Sequence, residues 1–472
     1  MYLAAAPGVS QRGYEHVCSL GDCCACRGNT TEVCAMADAA SRLTALAEEL
    51  LSEPLPVRIR AWDGSESGPP GAPVLVIRHR RALRRLLWKP GELGLARAWV
   101  AGEIDIEGDL YEALGHLAGL LWDRGADAKD SVHPVRDPKV RAFARGLLGL
   151  AGPWPPPAPP AEEVRRRTGP LHTRRRDKEA ISHHYDVGND FYALVLGPSM
   201  VYSCAYWQDG GTLEDAQRDK LDLVCRKLGL KEGDRLLDVG CGWGSMAIHA
   251  ARAYGAQVTG ITLSQEQAAH ARKRIAEEGL TDRIEIRVQD YRDVCDGPYD
   301  AISSIGMAEH VGSVRYREYA DDLYALLKPG GRLLNHQIAR RPEKDEDAYR
   351  IDAFIDAYVF PDGELAPLGR TLATLEEAGF EARDVEALRE HYALTLRRWV
   401  ANLEQHWERA VRATSPGRAR VWRLYMAASA LSFEHNQIGV NQILAVRPLD
   451  GGGSRMPLRA RTWTESAGGT GA

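Results

Sequence analysis

Three alternating glycines, Gly240, Gly242 and Gly244, have the residue type and spacing that point most clearly to chemistry. They follow an apolar strand-like run at 235–239 and precede a helix-like run at 245–254. Glycine tolerates positive φ and lets backbone N–H groups approach a ligand, so the strand, loop and helix N-terminus predict a nucleotide-type binding corner. Ser245 stands where the dinucleotide fingerprint needs its third glycine, which disfavours a nicotinamide site and leaves a packing turn as the alternative.

Polar side chains recur where the following strands are predicted to end. Asp238 closes the first strand, and His336 lies within the fifth. The other candidates follow the second, third and fourth strands: Thr262, Leu263, Ser264 and Gln267; Asp290 and Tyr291; Glu309 and His310. Taken singly, Ser264 could be a helix cap, Asp290 a solvated acid and His336 a core histidine. Because ligands bind at the carboxyl edge of parallel strands, their coincidence at one edge favours a binding site.

The elements that would position these residues alternate between short apolar strands and helices from about Lys220 onward. Such alternation predicts an α/β fold with a doubly wound, Rossmann-like parallel sheet. Helical segments at 344–375 and 392–435 interrupt the scheme and are candidates for a substrate cover. The sequence KPGG at 328–331 predicts a turn.

The rest of the chain divides into a small domain, a linker and two ends. Residues 36–121 predict a small α+β domain without a catalytic constellation, in which 95–105 and 110–121 form a helix-and-turn segment. Residues 122–180 predict a linker because they include a proline-rich run. The ends, 1–35 and 451–472, predict a disordered extension and a disordered tail.

Composition favours a protein that neither spans a membrane nor is exported. The chain has 472 residues, a formal net charge of −5, 44% hydrophobic and 26% charged residues. No run approaches the ~18 apolar residues of a membrane span, and no export pattern begins the chain, so we expect a cytoplasmic protein. Cysteines crowd the first 34 residues, but Cys23 and Cys26 lack a second pair at suitable spacing, so no metal site is predicted.

Positive charge is concentrated locally. Residues 78–89 (RHRRALRRLLWK) contain no acid, and their leucines could share one helical face with arginines around it. A second basic cluster lies at 165–178. Either could contact the phosphates of anionic lipid headgroups or be a solvated charged face. We therefore expect transient association with the inner face of the membrane and no nucleic-acid partner, and we leave a homodimer open.

Eight motifs give the chain an extensive resemblance to one known family. They are residues 183–192 (HHYDVGNDFY), 202–207 (YSCAYW), 236–244 (LLDVGCGWG), 262–267 (TLSQEQ), 289–293 (QDYRD), 309–312 (EHVG), 358–363 (YVFPDG) and 391–392 (HY). From about 181 to 448 the chain resembles the cyclopropane-fatty-acyl-phospholipid synthase family of S-adenosylmethionine-dependent methyltransferases. The resemblance implies a class I methyltransferase domain at 181–450 with a helical substrate cover, preceded by the small α+β domain.

The resemblance also implies a reaction and its residues. A cis double bond of a phospholipid acyl chain takes the methyl group of S-adenosylmethionine, and loss of a proton to bound bicarbonate closes a cyclopropane ring. The residues implied to hold bicarbonate are Cys204, Glu309, His336, Ile338 and Tyr392. Those implied for S-adenosylmethionine are Tyr202, Ser203, Asp238, Gly240, Cys241, Gly242, Trp243, Gly244, Thr262, Leu263, Ser264, Gln267, Asp290 and Tyr291. The aromatic residues implied to stabilise the cation in the substrate pocket are Tyr206, Trp207, Tyr358 and Phe360.

Within the donor site, the loop N–H groups are expected to meet the amino-acid portion, Gln267 a ribose hydroxyl and Asp290 the adenine amine. The chain departs from the family pattern at Ser429, where some members carry a cysteine, and at 434–436 (EHN), where arginine is more familiar. An alternative product is a methyl- or methylene-branched chain. Relatives of that kind tend to lose one of two histidines, and this chain keeps both of them, His310 and His336. The alternative of another class is a catalytically inactive lipid-binding protein.

Overall fold

The computed structural model describes residues 38–122, 138–152, 155–164, 173–174, 176, 187–346, 349–459 and 461. The predicted extension at 1–35, the motif residues 183–186, the cluster residues 165–167 and the tail residues 462–472 lie outside the described residues. The described residues from Ala39 onward belong to one compact unit. Among them, no helix has the length and apolar character needed to cross a bilayer.

The first part of the described chain builds a four-stranded sheet with flanking helices. The strands are β1 (Arg58–Arg60), β2 (Glu66–Ser67), β3 (Val74–Ile77) and β4 (Ile104–Glu107). They lie in the order β2-β1-β3-β4, with β1 and β3 parallel and the other pairs antiparallel. The helices are α1 (Ala39–Leu51), α2 (Arg81–Trp88), α3 (Glu92–Val100) and α4 (Leu110–Trp122). β4 replaces part of the predicted helix-and-turn segment, because Ile104 and Ile106 alternate with polar residues and are buried.

A further helix, α5 (Pro138–Ala151), lies inside the segment predicted as a linker. It buries Leu147, Leu150 and Ala151 and packs against α1 and α2. The spacing of these residues makes one helical face apolar, a signal that the nearby proline run obscured. The structure therefore corrects the linker prediction for 138–151.

A seven-stranded sheet forms the centre of the remaining chain. Its strands are β5 (Arg235–Val239), β6 (Gln257–Thr262), β7 (Ile284–Val288), β8 (Tyr299–Ile305), β9 (Leu327–Arg340), β10 (Glu381–Ala387) and β11 (Ile438–Val446). The order is β10-β11-β9-β8-β5-β6-β7; β5 to β9 are parallel, whereas β11 is antiparallel to both β9 and β10. Burial on both faces explains the nearly continuous apolar character of β5. The predicted doubly wound sheet is confirmed.

Helices flank this sheet and form the predicted cover. They are α6 (Asn189–Leu196), α7 (Leu213–Leu228), α8 (Ser245–Tyr254), α9 (Gln265–Glu277), α10 (Tyr316–Leu326), α11 (Ala353–Tyr358), α12 (Leu368–Glu377), α13 (Arg389–Gln405), α14 (Trp407–Ala413) and α15 (Pro416–Glu434). α13 packs against both α6 and α15. Single 3₁₀ turns at Tyr291–Asp293 and Ala308–His310 follow β7 and β8 and carry candidate site residues.

The turn predicted at 328–331 lies within β9 as a bulge. β9 pairs with β8 at Leu327 and again at Arg332, so the residues between them loop out of the ladder. Gly330 has a φ of 82°, which glycine adopts without strain. The predicted change of chain direction therefore occurs as a local bulge, and the chain continues in the same strand after it.

One hydrophobic core joins the N-terminal sheet to the helical cover. Trp99 of α3 is buried, its indole Nε1 donates to the carbonyl of Arg420 at 2.9 Å, and Arg420 Nε donates back to the Trp99 carbonyl at 2.6 Å. The guanidinium of Arg420 also lies 4.5 Å from the centre of the Trp99 ring. The small α+β region is thus bonded directly to α15.

Candidate functional site

The glycine loop between β5 and α8 is held at the carboxyl edge of the sheet. Gly240, Gly242 and Gly244 adopt φ values of 78°, 54° and 82°. The N–H groups of Gly240 and Cys241 donate to the carbonyl of Ile261 at 3.0 and 2.9 Å, so these two bind β6 rather than face a ligand. A Cβ at Gly244 would lie 3.1 Å from that of Ala271, so this glycine permits the close approach of α9.

A first cavity of about 1160 Å³ opens beside this loop. The predicted donor-binding residues that line it are Tyr202, Ser203, Asp238, Gly240, Cys241, Gly242, Trp243, Thr262, Leu263, Gln267, Asp290 and Tyr291. Gly244 and Ser264 do not line it. Ser264 Oγ instead accepts from the N–H of Gln267 at 3.2 Å and caps α9, which corrects its assignment to the donor site.

Asp238 presents a buried carboxylate oxygen to the first cavity. Its Oδ1 accepts from Ser303 Oγ at 2.7 Å, whereas Oδ2 has no hydrogen-bond partner among the described residues. Burial raises the pKa of Asp238 to about 6, although the Ser303 hydrogen bond and the charge of Lys220 oppose the rise. An acceptor in this position can bind a cationic or N–H group of a ligand.

Asp290 and Gln267 are oriented by neighbouring side chains. Arg292 donates to Asp290 from its backbone N–H, Nε and Nη2 at 3.0, 2.8 and 2.6 Å. Burial acts to raise the pKa of Asp290, but the Arg292 hydrogen bonds outweigh it and lower that pKa. Thr262 Oγ1 donates to Gln267 Oε1 at 2.8 Å, which fixes the orientation of the amide. Both side chains are therefore preorganised on the cavity wall.

Lys220 of α7 also lines the first cavity, and the sequence reasoning missed it. Its side chain is 1% exposed, and Nζ donates to Ser203 Oγ at 2.9 Å. The available signal was a lysine on an otherwise apolar helical stripe, since the buried Ala216 and Val224 lie one turn away on either side.

A second cavity of about 980 Å³ adjoins the first. It is lined mainly by apolar and aromatic side chains from the cover and from the chain after β9, including Tyr349, Ile351, Ile355, Phe360, Leu365, Leu396, Tyr425, Phe433 and Ile438. Tyr202, Gly306 and His310 line both cavities, so the two meet at these residues. The second cavity is suited to an extended apolar ligand.

Glu309 lies on the wall of the second cavity with one carboxylate oxygen bonded and one not. Its Oε1 accepts from the backbone N–H of Ile338 at 2.8 Å, and Oε2 is buried without a hydrogen-bond partner among the described residues. Burial raises the pKa of Glu309 to about 7, against the effect of the Ile338 hydrogen bond. The group is thus close to its midpoint at neutral pH and can hold or release a proton.

The other predicted anion-binding residues divide into two groups. Ile338 and Tyr392 line the second cavity with Glu309. The N–H of Ile338 already donates to Glu309, so in this structure it is not available to bind an anion. Cys204 and His336 are buried and line neither cavity. Cys204 Sγ lies 3.5 Å from the Leu388 carbonyl.

His336 is a buried histidine whose ring nitrogens are both without hydrogen-bond partners among the described residues. Burial lowers its pKa to about 3, and the positive charges of Lys220 and Lys227 lower it further, so the imidazole is neutral at physiological pH. A satisfied core histidine, the plain alternative for this position, does not describe this geometry.

Three of the four predicted substrate-pocket aromatics are placed elsewhere. Phe360 lines the second cavity, but Tyr206, Trp207 and Tyr358 line neither. Tyr206 stacks on His391, and Trp207 donates from Nε1 to Thr395 Oγ1 at 3.0 Å. Tyr358 donates from its hydroxyl to Glu163 at 2.9 Å. Their predicted role in the substrate pocket stays a prediction.

Aromatic residues of α15 supply part of the cavity wall that was predicted for Tyr206, Trp207 and Tyr358. Tyr425 lines the second cavity and accepts a hydrogen bond from the Tyr202 hydroxyl at 3.4 Å, and Phe433 lies farther along the same helix. Ser429, one turn from each, also lines the cavity. Their spacing is that of any buried helical stripe, so the sequence did not distinguish a cavity wall from core.

The chain was compared with known proteins. A family model described as "Mycolic acid cyclopropane synthetase" matches residues 172–443. A probable fatty acid methyltransferase of Mycobacterium tuberculosis is 43% identical over 415 residues, covering 86% of this chain and 94% of that protein. A probable fatty acid methyltransferase of Pseudomonas putida is 39% identical over 88% of this chain and 98% of its own length. The cyclopropane-fatty-acyl-phospholipid synthase of Escherichia coli is 37% identical over 60% of this chain and 71% of its own length.

Two solved structures resemble part of the chain. The cyclopropane synthase MmaA2 of Mycobacterium tuberculosis has a TM-score of 0.54 and 32% identity, and covers 59% of this chain and 99% of its own. The mycolic acid cyclopropane synthase CmaA1, complexed with SAH and CTAB, has a TM-score of 0.54 and 33% identity, and covers 57% of this chain and 97% of its own.

Proposed function

The chain belongs to the mycolic acid cyclopropane synthetase family of S-adenosylmethionine-dependent methyltransferases, and from this membership we propose that it forms cyclopropane rings on unsaturated phospholipid acyl chains. The observation that carries the proposal is the junction of the two cavities at Tyr202, Gly306 and His310. A cavity with buried polar side chains beside the glycine loop suits the donor, and a more apolar cavity suits the acyl chain. Glu309 lies on the acyl side of this junction.

The first cavity fits S-adenosylmethionine, which supplies an electrophilic methyl group when bound. Asp238 offers a buried acceptor for the ammonium group of the amino-acid portion. Gln267 is oriented to reach a ribose hydroxyl, and Asp290 can accept from the adenine amine while it holds Arg292. The crystal structure of CmaA1 with SAH, at 33% identity, supports this use of the cavity.

The second cavity fits an acyl chain whose double bond reaches the junction. Attack of the double bond on the methyl carbon would break the bond between that carbon and sulfur, release S-adenosylhomocysteine and leave a positive charge on the chain. Loss of a proton from the new methyl to the base would then close the ring. The rings of Tyr202 and Tyr425 adjoin this position and can stabilise the cation through their quadrupoles. The apolar wall keeps out water, which would otherwise trap the cation as an alcohol.

We further propose that a small anion, bicarbonate, serves as the base. It would supply an oxygen lone pair for the departing proton. Three buried polar atoms without partners among the described residues suit such a ligand: Glu309 Oε2, His336 Nδ1 and His336 Nε2. A neutral His336 can donate one hydrogen bond, and Glu309, with a pKa near 7, can share a proton with the anion rather than repel it.

Transient association with an anionic phospholipid surface is also proposed, through the face formed by α2 and α5. Trp88 and Leu148 are 60% and 50% exposed there, and with Arg84 and Arg145 they line a shallow groove. Exposed apolar side chains beside arginines are typical of a headgroup-binding surface. Arg85 of the basic segment is instead buried in an ion pair with Glu103 at 2.8 Å, so it belongs to the core of this region.

Mass spectrometry of lipids from cells that express the protein tests the proposed reaction. We expect phospholipids that gain one CH₂ unit and lose the alkene signal, whereas a retained alkene would indicate a branched product instead. Glu309→Gln is the matched variant, because its amide oxygen can still accept from Ile338 while the carboxylate is lost. The variant should bind SAH within about twofold of wild type and lose at least about 100-fold in turnover. Wild-type protein that binds SAH but leaves the lipids unchanged would support the inactive lipid-binding alternative.

A further inference from the structure

Lys220 is a buried lysine without an ion-pair contact among the described residues, and Asp238 acts on its charge only from a longer distance. Its side chain is 1% exposed on the wall of the first cavity. Ser203 Oγ, at 2.9 Å, is its one hydrogen-bond partner among the described residues, although an ammonium has three hydrogens to donate. No carboxylate of the described residues lies within 4.0 Å of Nζ. A buried charge in this state is costly unless something completes its coordination.

Lys227, two turns farther along the same face of α7, shows how this fold satisfies a buried lysine. Its ammonium pairs with Glu386, donates to Gln442 Oε1 at 2.8 Å and lies 3.8 Å from Asp384. It is therefore neutralised by the chain itself. Lys220 has no comparable acid, and it faces a cavity instead.

The neighbours of Lys220 place an acceptor beside this cation on the same cavity wall. Asp238, on the same cavity wall, has an acceptor oxygen without a partner, and the hydroxyl of Ser203 lies against the ammonium. A zwitterionic ligand needs an acceptor for its ammonium and a cation for its carboxylate, and Asp238 and Lys220 present both. His336 lines neither cavity, but the charge of Lys220 acts on it, and its two ring nitrogens have no partners among the described residues.

We propose that Lys220, oriented by Ser203, binds a planar carboxylate-type oxyanion that enters the first cavity. The inference rests on the proposed function, which supplies two sources of this chemistry: the amino-acid carboxylate of the methyl donor and free bicarbonate. The ammonium would donate its remaining hydrogens to the anion, and Lys220 is thus a positioning residue for whichever ligand bears that group. Burial lowers its pKa to about 8, which keeps most of the population charged at neutral pH.

Calorimetry with a matched pair of ligands tests the first source. SAH carries the carboxylate, and its decarboxylated analogue, 5′-S-(3-aminopropyl)-5′-thioadenosine, lacks only that group. In Lys220→Met, SAH should bind about 10- to 100-fold more weakly, as expected for loss of a charge-assisted hydrogen bond, while the analogue should bind as to wild type. Lys220→Arg, which keeps the charge, should recover part of the SAH affinity.

Bicarbonate titration of the SAH-saturated protein tests the second source. If the anion is bicarbonate, the rise in Tm on adding bicarbonate over chloride at equal ionic strength should disappear in Lys220→Met, with SAH affinity unchanged. Lys220→Gln, which can still donate to Ser203, repeats both arms if the methionine variant fails to fold. Lys227→Met is the control: it should lower Tm because the half-buried Glu386 loses its ion-pair partner, yet change neither ligand response.

Unchanged binding of SAH, analogue and bicarbonate in both uncharged variants would overturn the assignment of Lys220. The proposed function fails separately, because it requires wild-type protein to bind SAH. A wild type that binds SAH together with an insensitive Lys220→Met therefore rejects only the oxyanion site.

Discussion

At the scale of single residues, two buried groups of the candidate site respond to burial in opposite directions. Glu309 has its pKa raised to about 7, whereas His336 has its pKa lowered to about 3. Both shifts favour the neutral form in the folded protein, since burial disfavours charge. A site that suppresses its own charges leaves room for the charge of a ligand.

The raised pKa of Glu309 predicts a pH-dependent stability. Between its ordinary 4.5 and about 7, the folded state binds a proton that the unfolded state does not. Its contribution to stability is therefore complete below pH 4.5 and is lost as the pH rises through about 7. Glu309→Gln should gain stability relative to wild type between about pH 5 and pH 8, by on the order of 1–3 kcal/mol. Denaturant unfolding at the two pH values measures this.

The lowered pKa of His336 acts with the opposite sign but is present in both proteins, so it cancels in the comparison. Unfolding free energies of wild type and Glu309→Gln that run parallel across the pH range would show that the Glu309 pKa is not raised.

The location of the residues at the strand ends was predictable because a parallel sheet brings those ends to one edge. Asp238, Thr262 and Asp290 reach the first cavity for that reason alone. Lys220 and Tyr425 come from α7 and α15, and only tertiary packing shows that they face a cavity rather than core. The placement of the strand-end residues follows from local sequence pattern, whereas the placement of residues on distant helices does not.

At the scale of elements, α2 and α5 form a surface that neither shows in isolation. α2 carries the basic segment, but α5 contributes Arg145 and Leu148, and its packing against α2 places them beside Trp88. The sequence did not predict α5, because this helix lies in a segment whose proline-rich run is typical of a linker. β10 escaped prediction for a related reason, because its charged sequence EARDVEA lacks the apolar alternation of a strand and is ordered by pairing with β11.

The surface of α2 and α5 predicts a defect in membrane binding. Trp88→Ser combined with Arg145→Gln removes one exposed ring and one cation, and should weaken co-sedimentation with phosphatidylglycerol-containing vesicles by about tenfold at low salt. Added salt should reduce the difference, because it screens the arginine contribution.

Leu458→Ser is the control for this prediction, since Leu458 is fully exposed on a different segment. Equal vesicle binding by the double variant and wild type at low salt would place the membrane contact elsewhere.

At the scale of the whole molecule, the N-terminal sheet and the helical cover share one core. Trp99 and Arg420 exchange two hydrogen bonds, and Arg97 and Tyr358 both contact Glu163. The sequence predicted two bodies because each has its own pattern of elements. Contacts between residues more than 300 positions apart, such as Trp99 and Arg420, leave no trace in local periodicity.

This shared core predicts coupled unfolding. Trp99→Ala should destabilise the protein by about 3–5 kcal/mol, through the lost ring and the hydrogen bond left unmade. Differential scanning calorimetry should show one transition moved to lower temperature as a unit. Trp88→Ala removes the same side chain from an exposed position and should leave Tm nearly unchanged. Two separate transitions, with only the earlier one shifted, would show that the regions fold independently.

The shared lining of Tyr202, Gly306 and His310 has a consequence for turnover. Under the proposed function, donor and acceptor would occupy adjoining cavities that meet at these three residues. Spent nucleoside can then be exchanged while a lipid tail stays seated. Each round would still need a fresh double bond, so the shared lining leaves the two products free to depart in either order.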